Sequence, residues 1–165
     1  MESLKLIEGE NRIRCERMWR YFIDNCPDAE GSSFNHQAWK GGYFSHINDI
    51  IEYGLILYES LSKVGPLTFK ISDVILVLFL HDIEKPIKYS KILNSSISHM
   101  SSVEIRSILI DQYEIELNEE QLNALKYVHG EGDDYTNKER IMNPLAAFCH
   151  CCDVISARIF FDRVK

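Results

Sequence analysis

Long hydrophobic runs are absent from this chain. The longest, Val74 to Leu80, has seven residues, against the roughly 20 needed to span a bilayer, so no membrane segment is expected. No signal peptide is expected either, because "MESLKLIEGENR" is polar and mixed in charge and does not read as one. Surplus positive charge is missing: the formal net charge is −7. An acidic chain is a poor clamp for the phosphates of long duplex nucleic acid. It still permits a small phosphorylated substrate held by a few local cations. There is no repeat, low-complexity tract or linker. Cysteine pairing is lacking as well. The five cysteines are an odd number, and without a secretory signal they predict reduced thiols in a cytoplasmic setting.

What is present suits one domain spanning residues 1–165. Hydrophobic residues make up 45% and charged residues 26%, enough to build a core under an ordinary polar surface. The patterning is helical. "IEGENRIRCERMWRYFIDNC" places Ile13, Met18, Tyr21 and Phe22 near helical spacing and ends before Pro27. "DAEGSSFNHQAWKGG" reads as a loop. "YFSHINDIIEYGLILYESL" is amphipathic, with Ile47, Ile50, Ile51, Leu55, Tyr58 and Leu61 recurring at three and four. After "GPLTF", Ser72 or Asp73 can cap a helix running through His81. A buried strand gives the same apolar run, but no partner strands are visible. Further helices fit 101–112, 118–129 and 144–163, the second capped by Asn118 and closed by Gly130. The expected fold is all-α, a single helical bundle of about six or seven helices.

The apolar run 74–80 ends in His81–Asp82, followed by Glu84, Lys85 and Pro86. Six histidines are present: His36, His46, His81, His99, His129 and His150. His46 falls on the early turns of one helix, and His81–Asp82 closes the next. Asp153 lies inside the apolar final helix, where an ionised carboxylate is costly unless it is paired or metal-bound. A salt bridge to Arg158 is the structural alternative for Asp153, and a hydrogen-bonded core residue is the alternative for any single histidine. Two imidazoles and two carboxylates converging from three helices suit a divalent ion such as Mn²⁺, Fe²⁺, Co²⁺ or Zn²⁺. "CHCC" at 149–152 lacks the second C-x₂-C pair of structural zinc, so its thiols read as small packed side chains.

The order His46, His81–Asp82, Asp153 resembles the HD superfamily of metal-dependent phosphohydrolases. "HQAWKGGYFSH" is similar to "HHAYxGGLLEH" in the HD domain of bacterial 3′–5′ exoribonucleases. "LFLHDIEKP" resembles "LLHDIGK", "KYVHGEG" resembles "xxxHHGE" with Val128 replacing one histidine, and "FCHCCDVISAR" resembles "LHxADxLDA". The likeness runs from about residue 34 to 159. It implies His46, His81, Asp82 and Asp153 as metal ligands, with His99 and His129 where two-metal members place extra histidines. One or two divalent ions (Mn, Fe, Co, Zn or Mg) are implied as cofactor. The missing paired histidine weakens the case for the second.

The resemblance also assigns roles around the ion. Asp82 is implied as both ligand and orienting partner of the attacking water. Lys85 takes the place of the family lysine that contacts substrate phosphate. His36 matches a family loop histidine that touches substrate or supports a ligand. Apart from the resemblance, Lys40 with Gly41–Gly42 is a second candidate phosphate contact, because glycines permit close backbone approach. Glu84 departs from the family pattern, which has a small residue there. It reads either as a general acid for the leaving oxygen or as a surface partner of Lys85 or Lys88. His150 lies one helical turn before Asp153 and can support it.

Family members act on nucleotides, cyclic dinucleotides, alarmones and RNA. The exoribonucleases carry an oligonucleotide-binding barrel before the HD domain. These 165 residues leave no room for one, and no basic stripe with interleaved aromatics is present. The expected enzyme is therefore a hydrolase of a phosphate ester or phosphodiester in a small nucleotide or short oligonucleotide. A 3′–5′ exoribonuclease and an inactive nucleotide-binding HD module are the alternatives. Trp39, Tyr43 and Tyr135 lie near site segments and can stack on a base, and the chain is open to self-association as an oligomer.

Overall fold

A computed structural model describes residues 1–32, 37–93 and 95–160. A 3-10 helix, Glu2–Leu6, leads into α1 (Glu10–Asn25). After a loop come α2 (Gly42–Ser62), α3 (Ile71–Leu80) and the single-turn α4 (Lys85–Tyr89). They are followed by α5 (Ser102–Gln112), α6 (Glu119–Tyr127), a 3-10 turn at Gly132–Asp134, and α7 (Pro144–Ile159). There is no strand among the described residues, so the expected all-α bundle holds and the apolar run is helix. No described helix is long and apolar enough to cross a membrane.

α3 organises the rest. Every residue from Val74 to Leu80 is buried, because α2, α6, α7 and the N-terminal 3-10 helix all pack against this one helix. A helix covered on all sides carries no polar face and hence no amphipathic period. Its start differs from the expected caps. Lys70 is the N-cap, and Asp73, three residues later at the third helical position, accepts the Lys70 backbone N–H at 3.0 Å. Ser72 instead accepts the Glu8 backbone N–H at 2.8 Å, tying the chain's beginning to the core.

The inward face of α1 also differs from expectation. Cys15, Met18, Trp19 and Phe22 are buried, whereas Ile13 and Tyr21 point to solvent at 53% and 39% exposure. Cysteine and tryptophan complete the stripe at three- and four-residue spacing. On α2 the expected face is turned inward at Ile47, Ile50 and Ile51, half-buried at Leu55 and Tyr58, and exposed at Leu61. Tyr43 is wholly buried among Trp19, Phe22 and Phe44, so it is a core residue and not a base-stacking platform.

Helix ends follow local chemistry. Ser101 caps α5 in a reciprocal box with Glu104, and Asn118 does the same for α6 with Gln121. Gly130, at φ +103°, donates its N–H to Tyr127 O at 2.8 Å just past α6, the left-handed stop that glycine supplies without strain. Asn143 caps α7 through the Ala146 N–H at 2.7 Å, with Pro144 at the first helical position. α7 ends at Ile159, with Phe160 as its non-helical C-cap (φ −121°, ψ 27°), short of the expected end at 163; residues 161–163 lie outside the described residues.

Candidate metal centre

The core packing brings four chain segments to one point. α2 carries His46 on its second turn. His81 caps the C-terminus of α3, and Asp82 follows in the turn before α4. α7 carries Asp153, and His129 stands just past α6. His46, His81 and Asp153 are buried, and each offers one ligand atom within 4.8 Å of the other two, a group that could hold a metal ion. The two imidazole Nε2 atoms are 3.3 Å apart. Asp153 Oδ1 lies 3.4 Å from His46 Nε2 and 3.7 Å from His81 Nε2. Asp82 Oδ2 adjoins the same nitrogens at 3.3 and 3.0 Å.

The donor chemistry fits a cation. His81 Nδ1–H donates to Leu78 O at 2.7 Å, which leaves Nε2 to face the carboxylates. Asp82 Oδ2 is crowded by both imidazoles and by Lys85 Nζ at 2.5 Å, yet it makes no well-aligned hydrogen bond among the described residues. Ionised carboxylates in a buried site require compensating positive charge. Two imidazole nitrogens and two carboxylate oxygens form a borderline-hard set suited to Mn²⁺, Fe²⁺, Co²⁺ or Zn²⁺.

The titration of these groups reports the same demand. Burial pushes His81 down, but the charge of Asp82 and hydrogen bonding to Asp153 and Asp82 outweigh it and lift the imidazole to about 10. Burial pushes Asp82 up, and His81, Lys85 and His46 reverse this, holding it well below the usual carboxylate range. Asp153 behaves likewise, with burial opposed by His129, His46 and His81. Without a metal, protonated imidazole and the Lys85 ammonium are what hold these acids ionised.

Around this centre the expected residues divide. His129 joins it at the surface: its side chain is half exposed, Nδ1–H donates to Asp153 Oδ2 at 3.2 Å, and Nε2 lies 3.6 Å from Asp82 Oδ1. Lys85 is no solvated helix-end lysine, being 12% exposed and turned onto Asp82. Glu84 is not a surface partner of Lys85 or Lys88. It is buried, 3.4 Å from Arg106 Nη2, and its carboxyl is raised by burial and by the neighbouring Asp82, with Arg106 opposing. His150 does not support Asp153 directly. Its Nδ1–H donates to Val128 O at 2.7 Å, bracing the backbone next to His129. Asp153 is taken up by the histidines, while Arg158 stands exposed.

Other expectations are not gathered here. His99 sits in an exposed turn near Glu104, so the expected ligand role finds no support in its position; the serine-rich stretch around it gives it no apolar face to bury. Lys40 and Tyr135 are exposed, and Trp39 is half-buried. His36 lies outside the described residues. All five cysteines are free thiols; Cys149 and Cys152 are buried on α7 as expected of packed side chains, and Cys151 is exposed. Three participants escaped the sequence reading: Ser156, Gln37 and Arg106. Ser156 Oγ contacts His46 Nδ1, and Gln37 contacts Ser156, each at 3.1 Å. The one available signal was Ser156 on the face of α7 three residues after Asp153. Compared with family models, curated proteins and solved structures, the chain finds no match.

Proposed function

We propose that this chain is an HD-type metal-dependent phosphohydrolase acting on a phosphate ester or phosphodiester of a small nucleotide or short oligonucleotide. The observation that carries the reading is the meeting of His46, His81 and Asp153 in one buried group with Asp82 against its two imidazoles. These four residues would hold the ion, with His129 at its solvent edge. When bound, a divalent cation lowers the pKa of water and polarises a phosphoryl oxygen. The exposed placement of His99 favours one ion over two.

The chain's own groups supply the remaining chemistry. Lys85 is the cation nearest Asp82 and meets a substrate phosphate that enters over His129. Glu84, paired with Arg106, has a carboxyl raised by burial and by Asp82, which suits it to relay a proton to the leaving oxygen. His129 Nδ1–H holds Asp153 in place through its hydrogen bond. The net charge of −7 disfavours a long polyanionic substrate and leaves compact nucleotides as the better match.

The test is a panel of mono-, di-, tri- and cyclic nucleotides and short oligonucleotides, assayed with Mn²⁺, Co²⁺, Fe²⁺, Zn²⁺ and Mg²⁺. Chelator-sensitive phosphate or nucleotide release from at least one supports the reading. Metal binding with no turnover on any member contradicts it and favours a nucleotide-binding module.

A further inference from the structure

Behind His46, on its other ring nitrogen, the chain builds a second polar arrangement. His46 Nδ1 lies 3.1 Å from Ser156 Oγ. The Gln37 side-chain amide donates to the same oxygen at 3.1 Å. His46, Ser156 and Gln37 each have 0% exposure, so no solvent competes for these bonds.

The backbone is distorted to put Gln37 there. Its φ is +44°, a left-handed conformation that costs a residue with a Cβ roughly 1–2 kcal/mol. Its carbonyl accepts the Gly31 N–H at 2.9 Å. Gly42, the first residue of α2, approaches so closely that a Cβ would stand 1.8 Å from Gln37 O. Gln37 Oε1 is buried with no hydrogen-bond partner among the described residues, a penalty on the order of 1–3 kcal/mol. An apolar side chain would fill the space without that penalty. The bond to Ser156 is what a glutamine adds.

We propose that Gln37 and Ser156 are positioning residues that fix the ring of His46 so that its Nε2 faces the metal centre. The inference rests on the metal-centre reading above. A serine hydroxyl has two acceptor sites and one proton. Gln37 fills one acceptor site. His46 Nδ1 meets the oxygen from the other side: it accepts the serine proton while Nε2 carries the ring hydrogen, and it donates once Nε2 holds a cation. His81 is oriented by a different device, Nδ1–H to Leu78 O. The two histidines thus present matching Nε2 atoms to one cation, one oriented by backbone and the other by the relay. A ligand's outer hydrogen bond of this kind fixes its orientation and raises its basicity.

The test uses the full chain. First, ¹⁵N imidazole shifts are recorded for metal-free wild-type protein and Ser156→Ala at mildly alkaline pH. The His46 Nδ1 shift is expected to change when the serine hydroxyl is removed; an unchanged shift overturns the proposal. Second, Mn²⁺ affinity is measured by calorimetry for Ser156→Ala, Ser156→Thr and Gln37→Leu. Ser156→Ala is expected to lose roughly 10- to 100-fold in affinity. Ser156→Thr, which keeps the hydroxyl, is expected to keep wild-type affinity and Nδ1 shift, and Gln37→Leu to fall between. Ser156→Ala with wild-type affinity refutes the relay. Wild-type protein that binds no Mn²⁺, Co²⁺ or Zn²⁺ refutes the metal reading instead, and the Nδ1 measurement still decides the relay.

Discussion

His46 Nε2 and His81 Nε2 stand 3.3 Å apart in the buried centre of the bundle, brought together by the packing of α2 on α3. Asp82 and Asp153 each place an oxygen beside both nitrogens. Two buried carboxylates crowded together need compensating positive charge, from protonated imidazole and Lys85 or from a cation. That requirement links the fold to a proposed chemistry.

Replacing Asp82 tests the requirement. Loss of an outer-sphere partner alone costs metal sites roughly 10- to 100-fold. Asp82→Ala is therefore expected to reduce metal retention and any hydrolysis by about 100-fold or more, while helical content by circular dichroism stays largely intact. Wild-type metal content in this variant would remove Asp82 from the account.

The sequence exposed this much because ionisable residues at apolar positions stand out. His81–Asp82 ends an uninterrupted apolar run and Asp153 interrupts another. The relay residues gave no such contrast, since Gln37 lies in a polar loop and Ser156 is an ordinary helical residue. His99 was misplaced because position between motifs, without an apolar face, does not specify burial. The face of α1 was misread where exposed Ile13 and Tyr21 resemble core letters and Cys15 does not. The cap of α3 was misread because Asp73 acts from the third helical position, reaching back to the Lys70 N–H. The all-helical class was legible because caps and glycine stops agree with the periodicity around them.

Arg106 is the charge that Glu84 depends on. Its Nη2 lies 3.4 Å from Glu84 Oε2, with both side chains largely buried. Arg106→Ala is expected to destabilise the protein by about 3 kcal/mol, since it strands a buried carboxylate. Adding Glu84→Gln should recover about half of that loss. Urea denaturation of the single and double variants checks this, and additive losses would contradict it.

Gly42 sits where α2 begins and the Gln37 carbonyl approaches. A methyl group there meets backbone, at 1.8 Å from Gln37 O and 2.8 Å from Gln37 C, and backbone cannot swing aside as a flexible side chain does. Gly42→Ala is expected to cost about 2–3 kcal/mol of stability. A urea midpoint equal to wild type would show that the loop does not press on the helix.

Asp28 gives a pH signature away from the metal centre. Burial pushes its carboxyl up, but the Ser90 hydroxyl at 2.6 Å and the Lys91 N–H at 2.8 Å outweigh burial and hold it below its ordinary value. The folded state then binds this proton more weakly than the unfolded chain. The stabilisation is complete above about pH 4 and is lost as pH falls through the lowered value. Asp28→Asn should cost about 1–2 kcal/mol at neutral pH. The gap to wild type should close in acid. A gap that stays constant down to the acid limit would assign the effect to packing.

The most direct measurement is anomalous X-ray scattering from crystals grown with Mn²⁺ or Zn²⁺. The account predicts a peak roughly 2.0–2.3 Å from His46 Nε2, His81 Nε2 and a carboxylate oxygen of Asp153, with Asp82 as the fourth ligand. Well-ordered crystals with no anomalous density between these side chains, at metal concentrations that fill other sites, would contradict it.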